Sequence, residues 1–112
     1  MPNLKSQQYS QKSFECIKKR VDEKNVDLKK YKTFAKRFPT LIHTCGLAQA
    51  IAFANSKNEY KSNFEDLQKV LANNNLIKDS QEKPVLEYLR LSREALVATG
   101  WLKKYAEAQI ED

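Results

Sequence analysis

The 112 residues predict an all-α fold, a compact bundle of about five helices in a single domain. Three observations carry that expectation. Apolar residues recur at intervals of three and four along most of the chain, the spacing of one helix face. Only two glycines and three prolines are present, too few for the tight turns of an all-β fold. No segment alternates apolar and polar with the period of a strand, and none repeats.

Taken in order, residues 1–6 read as a loose tail. A first helix is expected from about Gln7 to Lys24, with Phe14, Ile17 and Val21 facing inward and Lys12, Lys18, Lys19 and Arg20 facing outward. Asn25 to Asp27 break the chain, and Asn25 or Asp27 can cap the next helix. The second helix carries Leu28, Tyr31, Ala35, Phe38 and Ile42 on one face and Lys29, Lys32 and Lys36 on the other, with Lys30 and Arg37 to one side. Pro39 suits the first turn of a third helix, where its missing N–H costs nothing. That helix, Thr40 to about Ser56, has no charged side chain if His43 is neutral, so burial is expected for it. Ser62 and Glu65 have the spacing of a capping box that opens a fourth helix through Phe64, Leu67, Val70 and Leu71. Asn73 to Asn75 end it, and Leu76 and Ile77 are expected to anchor the loop beyond. Pro84 starts the last and longest helix, with Tyr88, Leu91, Ala95, Ala98, Leu102 and Tyr105 as its stripe and Leu89 and Leu96 widening it. Gly100 marks a kink or a close helix contact within it.

Charge is divided unevenly. Residues 1–57 carry +8 and residues 58–112 carry −2, within a net +6. A basic half attracts polyanions through counterion release, which makes nucleic acid the natural partner class. No stretch reaches the roughly 18 uncharged apolar residues of a membrane span. The opening MPNLKSQQYS has no apolar core, so no signal peptide is visible and cytoplasmic residence is the expectation. Cys16 and Cys45 each sit among apolar helical positions and read as free, buried cysteines.

No catalytic or metal constellation is apparent. His43, the one histidine, has no HxxxH, CxxC or carboxylate cluster around it, and Cys45 two positions away points elsewhere on a helix. No phosphate-loop or nucleophile-elbow pattern occurs. The expectation is no enzyme, no metal and no cofactor. Lys29, Lys32 and Lys36 are different, because their helix has no acid after Asp27 and neighbouring like charges repel. A bound phosphate chain relieves that repulsion. Lys18, Lys19 and Arg20 extend the patch with Arg37 if the first two helices pack side by side. Gly46, Arg93 and Trp101 are weaker candidates for protein interfaces; Arg90, between Glu87 and Glu94, reads as a surface ion pair.

Two strings, FAKRFPTLIHTCGLAQAIAFA and the later VLEYLRLSREALVATGWLKKYAEA, resemble the small-subunit family of type III-B CRISPR effector (Cmr) complexes. They cover about two fifths of the chain. The chain departs from the family pattern at Ala48, where a second glycine is associated with the family, and near His43 and Cys45, where basic or amide side chains are. The resemblance implies a non-catalytic, all-α subunit of an RNA-guided assembly. It implies several copies lined up in a short filament that flanks the guide RNA–target RNA duplex, with other subunits doing the cleavage. The expected partners are therefore other subunits, further copies of the chain, and guide and target RNA met through their phosphates, with no membrane. The more acidic half is expected to meet a neighbouring copy or a larger subunit. The competing expectation is a stand-alone helical adaptor that binds proteins through the uncharged third helix, with no nucleic-acid role.

Overall fold

The computed structural model describes residues 4–23 and 27–111. Six helices succeed one another: α1 (Leu4–Asp22), α2 (Leu28–Cys45), α3 (Leu47–Ser56), α4 (Lys61–Leu71), α5 (Leu76–Glu82) and α6 (Val85–Gln109). A 3₁₀ turn at Asn58–Tyr60 leads into α4, and no strand occurs among the described residues. The all-α bundle is as expected, with one helix more than the sequence suggests.

The long helix α6 is the spine. Both α1 and α2 pack along it, α3 lies on α2 and α4, and α5 closes against α3 and α6. Ala95, Ala98 and Ala106 on α6 are fully buried, and small side chains there let neighbouring helices come close. Ile17, Tyr31, Phe34, Phe38, Leu47, Ile51, Leu67, Val70 and Leu76 fill the core around them.

Several boundaries differ from the sequence expectation, each for a local reason. Pro39 does not start a helix; it lies inside α2, which runs on to Cys45. Proline removes one backbone hydrogen bond from a helix interior, and burial of Phe38 and Ile42 on either side holds the helix together across it. The true break is Gly46, at φ 88°. Its N–H donates to the Ile42 carbonyl at 2.9 Å and closes α2, while its carbonyl accepts from Ala50 N–H at 3.1 Å and opens α3. That positive φ favours glycine. In consequence His43, Thr44 and Cys45 are exposed, and Cys45 is not the buried thiol expected. One face of α3 (Leu47, Ala50, Ile51 and Ala54) is buried as expected.

Residues 4–6 belong to α1 and are not a tail; residues 1–3 lie outside the described chain. Lys5 forms an ion pair with Glu94, and the ion pair expected for Arg90 is not formed among the described residues. Phe14 and Val21 are exposed, and the inner face of α1 is Tyr9, Ser13, Cys16, Ile17 and Arg20. The expected break at Asn25 and Val26, and the end of the first helix at Lys24, fall outside the described residues. Asp27 caps α2, its carboxylate accepting from Lys30 N–H at 3.1 Å. The Ser62–Glu65 capping box is not formed: α4 starts at Lys61, and Glu65 turns to Arg20. Leu76 is buried as an anchor, but on a short helix rather than a loop. A methyl group at Gly100 would meet nothing within 4 Å, so Gly100 marks no close contact within the continuous α6.

Candidate nucleic-acid interface

The two faces of α2 are sharply divided. Tyr31, Phe34, Ala35, Phe38 and Ile42 are buried. Lys29, Lys36 and Arg37 are exposed, and Lys32 is partly covered. At 100° per residue, Lys29, Lys32 and Lys36 return to nearly the same direction. The cations are therefore displayed by the same periodicity that fills the core. Lys30, to the side, forms a 3.7 Å ion pair with Glu59 in which both side chains are about half exposed; such a pair is worth about 0–1 kcal/mol.

The α1 cations divide. Lys18 and Lys19 are exposed, on an open cleft they share with Glu15, Asp22 and Glu23. Arg20 does not join them. It is only 7% exposed, and its guanidinium grips Asp66 with Nη2 at 2.9 Å and Nε at 3.1 Å. Glu65 and Glu23 stand at 3.4 and 3.5 Å, and the Tyr31 hydroxyl donates to the same Asp66 carboxylate. Burial opposes the charge on Arg20, but the Asp66 hydrogen bonds and charge outweigh it and raise its pKa. Burial first, and then the Asp66 charge, push the Tyr31 phenol well above its ordinary value and the Cys16 thiol up to about 12. Arg20 thus ties α1, α2 and α4 together from inside and is not free to meet phosphate. Nor do α1 and α2 pack side by side; each lies chiefly on α6. The expected single patch resolves into the α2 stripe and a separate Lys18–Lys19 pair.

The weaker interface candidates also find their places. Gly46 is the α2–α3 hinge, with the Tyr88 hydroxyl 3.5 Å from where a Cβ would stand. Trp101 is partly buried: its indole N–H donates to Ser6 Oγ at 3.3 Å, its ring stacks on Tyr105, and the Lys104 ammonium sits 5.5 Å from its centroid. Arg93 is exposed and has no ion-pair partner among the described residues.

The sequence reading places the start of α6 at Pro84 but misses that its aliphatic side chains lie open. Val85 is 73% exposed and Leu86 80%, and Leu89 and Val97 are also exposed. With Arg93, the residues Leu86, Leu89 and Val97 fall on one helical line. A signal was present. This helix carries more large aliphatic residues than one stripe can bury, and the surplus lies at its start. No helix is long and apolar enough to cross a membrane, and no group of three His, Cys, Asp or Glu side chains could hold a metal, among the described residues.

Residues 5–109 match the family described as CRISPR-associated protein (Cas_Cmr5). The chain belongs to the Cmr5 family. It is 37% identical over 113 aligned positions to the CRISPR system Cmr subunit Cmr5 of Thermus thermophilus, across 96% of this chain and 97% of that protein. The crystal structure of a CRISPR-associated Cmr5 family protein from the same organism superposes with a TM-score of 0.88 at 35% identity, covering 96% of this chain and 97% of that one. The matched range reaches into all six helices.

Proposed function

We propose that this chain is a non-catalytic small subunit of a type III-B CRISPR (Cmr) ribonucleoprotein complex acting in antiviral defence in the cytoplasm. The family match over nearly the whole chain carries this reading. Within the complex, copies line up beside the guide RNA–target RNA duplex, and the stripe of Lys29, Lys32 and Lys36 with Arg37 tracks RNA phosphates. Contacts of that kind position a strand and read no sequence. Lys18 and Lys19 add a second, smaller point of attraction. The exposed apolar start of α6, in the more acidic half, meets a neighbouring subunit; aliphatic side chains this far out of the core are otherwise an aggregation liability.

The adaptor alternative loses its surface, because the apolar face of α3 is spent on the chain's own core. Replacing Lys29, Lys32 and Lys36 together with glutamate tests the RNA contact. The variant should fold normally, since all three side chains lie outside the core. The assembled complex carrying it should capture target RNA more weakly. Its salt dependence should also flatten, because each lost phosphate contact removes close to one unit of slope in a plot of log affinity against log salt. Unchanged capture with an unchanged slope would sink the phosphate contact.

A further inference from the structure

Beside the lysine stripe lies a cleft of about 340 Å³, lined by Asp27, Lys29, Lys30, Thr33 and Tyr60. Its volume lies within the roughly 300–1,000 Å³ of small-molecule sites. The Tyr60 ring forms one wall. It stacks on Phe34 with centroids 4.3 Å apart and planes 13° apart, and meets Phe53 in a tilted contact at 5.6 Å and 33°. Phe34 is fully buried, whereas Phe53 is 38% exposed, so the three rings form a ladder that runs from the core to the surface. Helical periodicity alone does not reveal this ladder, because Tyr60 lies in the connection ahead of α4.

We propose that this cleft seats one unstacked base of an RNA strand whose phosphates run along α2, with Tyr60 as its stacking wall. The inference rests on the RNA contact proposed above and adds a base to it. Three kinds of group meet here, and together they select a nucleotide. The aromatic wall takes a flat π-face, which every base has and an inorganic anion lacks. Lys29 and Lys30 supply charge for the flanking phosphates, and Lys30 has only a weak surface partner, Glu59, to exchange. Asp27 uses one carboxylate oxygen to cap Lys30 N–H and can offer the other to a ribose hydroxyl or an exocyclic amine. Lys29 belongs to both the cleft and the stripe, so a strand on the stripe brings a base to the opening.

The test uses the full chain and the assembled complex with two single-stranded probes of equal length and charge, oligoadenylate and its abasic ribose-phosphate counterpart. Oligoadenylate should bind about ten-fold more tightly, in keeping with one stacked base, and should shift the Lys30 and Thr33 amide resonances. Tyr60→Leu, which keeps apolar contact with Phe34, should abolish the difference between probes; Tyr60→Trp should preserve it. Asp27→Asn should keep the helix cap and retain stacking. Equal binding of the two probes by the wild-type chain would overturn the base seat. The triple glutamate variant of α2 then separates the two ideas. If it weakens both probes, the phosphate track stands without the seat; if it weakens neither, both fall. Displacement of oligoadenylate by polyglutamate of equal charge would likewise overturn the proposal.

Discussion

Two ends of this molecule invert the usual arrangement in opposite ways. Where α1, α2 and α4 meet, a charged cluster is inside: Arg20 and Asp66 are 7% and 1% exposed. Where α6 begins, the aliphatic side chains of Val85, Leu86 and Leu89 are outside. The first inversion is compensated within the chain. Asp66 receives two guanidinium hydrogen bonds and one phenol hydrogen bond, so the buried charges are paired and bonded. The second has no such compensation, since Val85 and Leu86 stay about three-quarters exposed and Leu89 about half exposed. A defect matched internally is architecture; a defect left unmatched points to something outside the molecule.

The largest expected effect comes from breaking the matched end. Asp66→Ala leaves Arg20 buried with only the longer contacts to Glu23, Glu65 and the Ser62 carbonyl, at 3.5, 3.4 and 3.5 Å, and strands the Tyr31 hydroxyl. Removing one partner of a buried pair costs about 3–5 kcal/mol. The lower figure, about 3 kcal/mol, is expected because the two glutamates remain, and urea unfolding would measure it. Replacing the whole cluster with apolar groups of similar size, Arg20→Met, Asp66→Leu and Tyr31→Phe together, should recover most of that loss. If the triple variant is no more stable than Asp66→Ala, the cluster does more than satisfy itself.

The same end should make the fold sensitive to alkali. Burial and the Asp66 charge raise the pKa values of Tyr31, from an ordinary 10.0, and of Cys16, from 9.0 to about 12. Groups with raised folded-state values hold their protons in the folded state, so the unfolded chain releases them first. Their contribution is complete below about pH 9 and is lost as pH climbs towards 12. Thermal unfolding midpoints should therefore hold up to about pH 9 and then fall. With Tyr31→Phe and Cys16→Ala the alkaline fall should be shallower.

These two ends also differ in how far the sequence revealed them. The stripe from Tyr88 through Leu91, Ala95, Ala98 and Leu102 was readable because period alone defines it, and the lysine face of α2 was readable for the same reason. Arg20 was not. Two of its acidic partners lie more than forty residues away, at Glu65 and Asp66, and nothing local distinguishes it from Lys18 and Lys19. The start of α6 was hidden by the opposite difficulty. Leu89 reads as core because apolar residues at helical spacing usually are, and only tertiary packing shows where the bundle stops covering the helix. The boundary between α2 and α3 was misplaced because Pro39 and Gly46 are both punctuation, and only the backbone conformation at Gly46 decides between them.

That boundary gives the next effect in size. Gly46→Ala places a side chain at φ 88° and its Cβ 3.5 Å from the Tyr88 hydroxyl. The contact is ordinary, so the cost is conformational: with ψ at 156° the backbone lies in an extended region at positive φ that is essentially open to glycine alone, and a side chain there costs about 1–3 kcal/mol. Pro39→Ala should do the reverse, restoring a backbone N–H and a better helix former within α2. Chemical denaturation of the two variants should move in opposite directions. A destabilised Pro39→Ala would show that the proline is needed for the path of α2.

The smallest effect on stability, and the sharpest test of the unmatched end, belongs to Leu86→Glu with Leu89→Glu. Leu86 is 80% exposed and Leu89 47%, so the folded state gives up only part of the burial of Leu89 and stability should change by about 1 kcal/mol or less. Binding behaves differently. A helix edge with two aliphatic side chains this open gains most of its burial only when a partner covers it, and a carboxylate placed in such a contact is costly. The variant should therefore fold as well as the parent yet fail to enter the complex, measured as loss of co-purification with the other subunits. Normal incorporation together with unchanged stability would mean that these residues are neither core nor interface. A large loss of stability would mean instead that α6 is held at its start by the bundle, and the contrast between the two ends would disappear.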